Sequence, residues 1–212
     1  MIITKTPFRM SFFGGGTDME DYFKENGGAV LSTTFDKYCY VNVRHLPRFF
    51  DYSSELTYSK MERVKDTDDI KHPAIREAMK FLDMQEIRLT YEADLPARSG
   101  LGTSSSFAVG MLNAFYALKG KYADKKKLAN EAIYLERVLC NEAGGWQDQI
   151  AASFGGFNRI NFNTDGTYDV LPVIISPERK QHLNNNLMMF FTGFTRFSSE
   201  VQKANNVSGS EE

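Results

Sequence analysis

Residues 96–110, PARSGLGTSSSFAVG, decide how this chain is read. They join an alternating β-like run, EIRLTYEADL, to an apolar run from Ser104 to Leu118 that reads as a buried helix. Packing alone does not ask for the glycine pair Gly100 and Gly102 followed by four consecutive hydroxyls at such a junction. An anion does. Glycine takes positive φ and admits close approach, so backbone N–H groups can converge on one point. A helix starting near Ser104 adds unpaired N–H groups and a positive dipole end. The hydroxyls of Thr103, Ser104, Ser105 and Ser106 supply further donors. These features describe a phosphate cradle; the competing reading is a glycine-rich turn capped by serine. The loop lacks the GK[ST] ending of a Walker A motif. As a dinucleotide fingerprint it fails as well, because Ser105 stands where the third glycine belongs.

Working outward, IITKTPFRMSFF reads as a strand ending in three glycines, and DMEDYFKEN as a short helix that Asp18 can cap. AVLSTTF and KYCYVNVRHL read as two strands, and residues 51–61 as another. HPAIREAMKFLDM is helical with Pro73 near its start, and DKKKLANEAIYLERVLCNEA is helical from an Asp124 cap. GGFNRINF and TYDVLPVII flank NTDG as a hairpin, and NNLMMFFTG reads as a last strand. Strands and helices mix without a regular βαβ repeat, which predicts an α+β class.

The 212 residues are 42% hydrophobic and 25% charged, an ordinary composition for a folded chain. A net charge of -2 without a basic block argues against wholesale nucleic-acid binding. Cys39 and Cys140 sit in no metal or redox spacing; two reduced thiols are expected, with a disulfide the alternative. His45, His72 and His182 are far apart and form no zinc pattern. MIITKTPFRM has no signal-peptide core, and LMMFF is too short to span a bilayer, so a cytoplasmic protein without membrane contact is expected.

Three ordered stretches carry a resemblance. PARSGLGTSSS resembles the central, ATP-phosphate-binding motif of the GHMP kinases. TPFRMSFFGGGTDM resembles their first motif, and GGWQDQIAASFGG the segment that bears the active-site aspartate. GGGTD and QDQ together are most similar to the branch with heptose 7-phosphate kinases and fucokinase-type domains. The resemblance implies a ribosomal protein S5 domain 2-like fold, with a mixed sheet and a left-handed βαβ crossover. It implies a GHMP kinase N-terminal domain over 1–195, with 196–212 as a frayed tail or the start of a C-terminal part otherwise missing. The implied reaction is transfer from ATP, with Mg²⁺, to the anomeric hydroxyl of a sugar, a heptose 7-phosphate first.

The implied roles follow residue by residue. Gly100, Leu101, Gly102, Thr103, Ser104 and Ser105 wrap the ATP phosphates. Ser104 and Glu136 hold the metal; the other reading of Glu136 is a glutamate at the edge of an apolar helical stripe, reaching solvent or an arginine such as Arg137. Asp148 acts on the attacking hydroxyl as base or orienter, with Arg9 beside it; a helix-start charge is the alternative for Asp148. Gly16, Thr17 and Asp18 meet the sugar, and Arg196 a sugar phosphate, with an ordinary surface arginine the alternative for Arg196.

Overall fold

In the computed structural model, residues 1–96 and 99–190 are described. The organising element is β2, Gly28–His45, an 18-residue strand. It is long enough to carry β1, Ile2–Phe13, antiparallel along one edge. Its other edge holds two strands end to end. β5, Ile87–Ala93, pairs with residues 39–45, and β6, Phe157–Phe162, pairs with residues 28–33. The edges are completed by β3, Ser54–Thr57, with β4, Met61–Val64, and by β7, Tyr168–Pro172. All pairs are antiparallel except β3–β5, so the sheet is mixed and the class is α+β, as expected. The β3–β5 crossover passes through β4 and α2, Pro73–Phe81.

One face of the sheet is covered by α3, Thr103–Leu118, which starts at the phosphate-loop motif and is buried along most of its length. Its close approach to β1 is pinned by polar contacts. Thr4 Oγ1 donates to Gly110 O at 2.9 Å, and Ser106 Oγ donates to Pro7 O at 2.9 Å. Two apolar clusters form the core. One gathers Val41, Leu56, Ile75, Leu89, Met111 and Phe115 between sheet, α2 and α3. The other gathers Phe23, Val30, Ile133, Ile150 and Phe162 beneath α1, Glu20–Asn26, α4, Lys125–Tyr134, and α5, Gln147–Phe154. Among the described residues no helix is long and apolar enough to cross a membrane.

Several expectations change. AVLSTTF and KYCYVNVRHL are one strand, because β1 pairs along both and absorbs the irregularity in register shifts at Pro7/Arg9 and Ser11/Phe13. Residues 51–61 do hold a strand, the whole of β3, but it is short and is followed by the turn into β4, which starts at Met61. The helix after Asp124 does start at that cap, whose carboxylate accepts from Lys127 N at 2.7 Å. It gives way to a π-helical segment, Leu135–Leu139, and is not helical through Cys140–Ala143. Asp18 does not cap α1: the N-cap is Met19, and the Asp18 carboxylate is used elsewhere. NNLMMFFTG is not a strand as far as Phe190; α6, Pro177–Asn185, precedes it, capped by Ser176 Oγ accepting from Arg179 N.

Candidate active site

The start of α3 is the focus. Gly102 is its N-cap and sits in the left-handed region at φ 73°, and Gly100 has φ 76°. The first N–H groups of α3 therefore leave a tight turn with no intrahelical acceptor. Ser104 is exposed at this end, and Thr103 and Ser105 are buried. The loop is tied to β1 by Arg9, whose N–H donates to Leu101 O at 3.1 Å and whose Nη1 donates to Gly100 O at 2.8 Å.

Arg9 also brings in α5. Its Nε and Nη2 both reach Asp148 Oδ1 at 2.7 Å. Asp148 is in the first turn of α5 and its side chain is 26% exposed. Oδ2 is left free of Arg9 and looks toward the loop: a Cβ on Gly102 would lie 3.5 Å from Oδ2 and 3.1 Å from Arg9 Cγ. Arg9, Gly100–Gly102 and Asp148, distant in sequence, are thus one constellation.

Glu136 meets the same helix start from the other side. It lies in the π-helical segment, a local widening that often marks functional sites. It is 1% exposed, which decides against a surface glutamate. Its Oε1 accepts from Ser104 Oγ at 2.8 Å, and its Oε2 from Ser105 Oγ at 2.7 Å and from Gln149 Nε2. Arg137 Nη2 stands 3.8 Å from Oε2, too far for a close pair. Nearby Glu142 has its carboxyl raised above the usual range, by burial first and then by the charge on Glu136.

A small hard cation fits this donor set. Neighbouring ligands on an octahedral ion with 2.0–2.1 Å bonds lie about 2.9 Å apart. Ser104 Oγ and Glu136 Oε1 are 2.8 Å apart. No cluster of three or more His, Cys, Asp or Glu side chains suited to a metal occurs among the described residues. One carboxylate and one hydroxyl, with water and ligand oxygens completing the shell, suit Mg²⁺ and not zinc.

An open cavity of about 400 Å³ borders the loop at Gly100 and Leu101, lined also by Arg9, Phe13, Gly14, Gly15 and Gln147 among others. Gly16, Thr17 and Asp18 are not among its lining residues. Thr17 Oγ1 donates to Gly14 O at 2.8 Å and accepts from Ala29 N at 3.1 Å, which closes the turn. Asp18 is 2% exposed, and its carboxylate accepts from Gly16 N, Gln147 N and Gln147 Nε2, each at 3.1 Å. It clasps the glycine turn to the start of α5. Sequence reasoning noted Gln147 and Gln149 only as neighbours of Asp148. The structure gives one to the Asp18 clasp and the other to Glu136, a division signalled only by two amides flanking an aspartate at a helix start. Arg196 lies outside the described residues. Cys39 is buried and Cys140 partly buried, and both are free thiols.

Comparison with known proteins finds matches in sequence and in fold. The family model described as GHMP kinases N terminal domain matches residues 70–156. D-glycero-alpha-D-manno-heptose 7-phosphate kinase of Campylobacter jejuni is 29% identical over 212 residues, covering 95% of this chain and 62% of that protein. L-fucokinase/L-fucose-1-P guanylyltransferase of Bacteroides fragilis is 26% identical over 239 residues, covering 93% of this chain and 24% of that protein. The crystal structure of a D-glycero-D-manno-heptose 1-phosphate kinase from Bacteroides thetaiotaomicron superposes with a TM-score of 0.75 at 25% identity, covering 83% of this chain and 61% of that one. The chain thus spans less than two thirds of the length of these relatives. Fold and sequence similarity converge: residues 70–156 match the GHMP kinases N terminal domain, and the chain as a whole is similar to the sugar kinases named above.

Proposed function

We propose that the chain forms the nucleotide-binding part of an ATP- and Mg²⁺-dependent sugar kinase. Its proposed acceptor is D-glycero-D-manno-heptose 7-phosphate, phosphorylated on the anomeric hydroxyl to the 1,7-bisphosphate, a cytoplasmic step in making surface-polysaccharide precursors. The observation that carries this reading is the meeting of Asp148, Arg9 and Gly102 at the start of α3, with Ser104 and Glu136 on the same turn.

Phosphoryl transfer needs placement and charge stabilisation more than covalent help. The backbone N–H groups of residues 103–105 receive the donor's phosphates, since the Ser104 and Ser105 hydroxyls are directed to Glu136. Ser104 Oγ and Glu136 Oε1 would hold the magnesium ion, which when bound offsets the charge of the polyphosphate. Arg9 fixes the Asp148 carboxylate through Oδ1 and places its own positive charge beside Gly100 O. Oδ2 is then the atom that takes the proton of the attacking hydroxyl, or orients it. The cavity beside Gly14, Gly15 and Gln147 receives the sugar. Thr17 and Asp18 act on the acceptor by shaping this wall, with Gly16 N drawn onto Asp18. Arg196 remains our candidate for the sugar phosphate on sequence grounds alone.

The fucokinase relatives support a second reading, a fucose- or galactose-type sugar 1-kinase. A sugar panel separates the two: ADP release by the product of the complete reading frame, with heptose 7-phosphate, fucose and galactose in parallel. Fastest turnover of the heptose phosphate is expected. Faster turnover of free fucose or galactose would replace the first reading by the second. ATP binding without turnover of any sugar would leave a non-catalytic nucleotide-binding protein.

A further inference from the structure

The side chain that fixes Glu136 most directly belongs to a residue with no role in the reaction outlined above. Gln149 is 0% exposed and lies one position after Asp148 in the first turn of α5. Its Nε2 donates to Glu136 Oε2. Only the N–H end of an amide can face a carboxylate, so this orientation follows from chemistry. The consequence is that Gln149 Oε1 is buried without a partner among the described residues. An unpaired buried amide oxygen is unfavourable, and an apolar side chain of the same length would fill the space without it. Packing therefore gives no reason for glutamine here.

The reason lies in how the two oxygens of Glu136 differ. Oε2 is held from two sides, by Gln149 and by Ser105 Oγ at 2.7 Å. Oε1 receives only Ser104 Oγ, from the exposed residue of the loop. We propose that Gln149 is a positioning residue that locks Glu136 Oε2 inward, so that Oε1 is the single oxygen presented to a divalent cation beside Ser104. Without the lock, the carboxylate can turn toward Arg137, whose Nη2 is 3.8 Å from Oε2. Because Gln149 adjoins Asp148, the same helical turn sets both the cation ligand and the carboxylate at the acceptor side. This inference rests on the magnesium–nucleotide reading above.

The test is the affinity of the chain for Mn²⁺ in the presence of a non-hydrolysable ATP analogue, read from the free-ion resonance, with thermal melting alongside. Outer partners of metal ligands typically control about 10–100-fold in metal affinity. Gln149→Met keeps the volume and removes the donor. It is expected to weaken Mn²⁺ by about that factor while melting stays near wild type and metal-free analogue binding is unchanged. Should Gln149→Met not fold, Gln149→Asn keeps an amide but falls one methylene short of Oε2, and the same loss is expected. Wild-type Mn²⁺ affinity in a folded variant would overturn the proposal. Glu136→Gln distinguishes the two levels. If it too binds Mn²⁺ normally, the cation-site reading itself fails; if it alone loses affinity, only the positioning role fails.

Discussion

Replacing Gly102 by alanine perturbs the loop at the point where three elements converge. The backbone there is left-handed, at φ 73°, which costs an alanine roughly 1–2 kcal/mol. The added Cβ would also sit 3.1 Å from Arg9 Cγ, a contact that Arg9 relieves by moving a few tenths of an ångström, about what a flexible stem allows. The strain has two outlets. If the free loop keeps its shape, the cost appears as lost stability, a fall of roughly 2–8 °C in melting temperature for a chain of this size. If the loop relaxes, the N–H groups of residues 103–105 lose their aim and binding must restore it. The dissociation constant for Mg²⁺·ATP then rises by roughly 5–30-fold. Gly120 provides the control: it is left-handed as well, at φ 67°, with nothing within 4 Å of its Cβ position, at the far end of α3. Gly120→Ala should lose stability alone. Differential scanning fluorimetry and calorimetry on both variants read the two outlets together. A Gly102→Ala protein that matches wild type in melting and in ATP affinity would refute the reasoning.

Gly145→Ala should destabilise by about 2–4 kcal/mol, because its Cβ would fall 1.9 Å from Asp18 Oδ2 and push a buried carboxylate off its N–H donors; a chemical denaturation curve within about 0.5 kcal/mol of wild type would contradict the clasp. Cys39 has its thiol pushed up to about 12, by burial first, so its protonated form is favoured in the folded chain. Its contribution to stability is full below the unfolded thiol range and lost as pH rises through it toward about 12; a thiol reagent at pH 8 should therefore modify Cys39 only on unfolding, and fast labelling of the native chain would count against its burial.

What was legible in the sequence is what is local. The glycine-hydroxyl loop, the Asp124 cap and the NTDG hairpin each carry their signal within a few residues, and each stands where expected. β2 was harder, because Asp36 between AVLSTTF and KYCYVNVRHL reads as a break between two strands; the pairing with β1 along both keeps it continuous. α6 was missed because it buries nothing and so shows no apolar stripe, although Ser176 and Pro177 mark its start. Glu136 was legible as a carboxylate on an apolar stripe. Its partners were not: Ser105 and Gln149 are 31 and 13 residues away and reach it only through the packing of α3, α5 and the π-helical segment. Asp18 shows the same limit, since helix-cap spacing and a clasp onto α5 look alike until Gln147 is placed.

The decisive measurement is kcat and nucleotide affinity for Asp148→Asn in the product of the complete reading frame, with the best acceptor from the sugar panel. The substitution keeps the size of the side chain and removes the charge and basicity of Oδ2, which faces the loop from beside Arg9. A positioned base contributes about 10²–10⁴-fold, so kcat should fall by that order while the dissociation constant for Mg²⁺·ATP stays within about twofold. A variant that turns over at near the wild-type rate would reduce Asp148 to a helix-start charge and contradict the proposed phosphoryl-transfer centre, even with the GHMP fold unchanged.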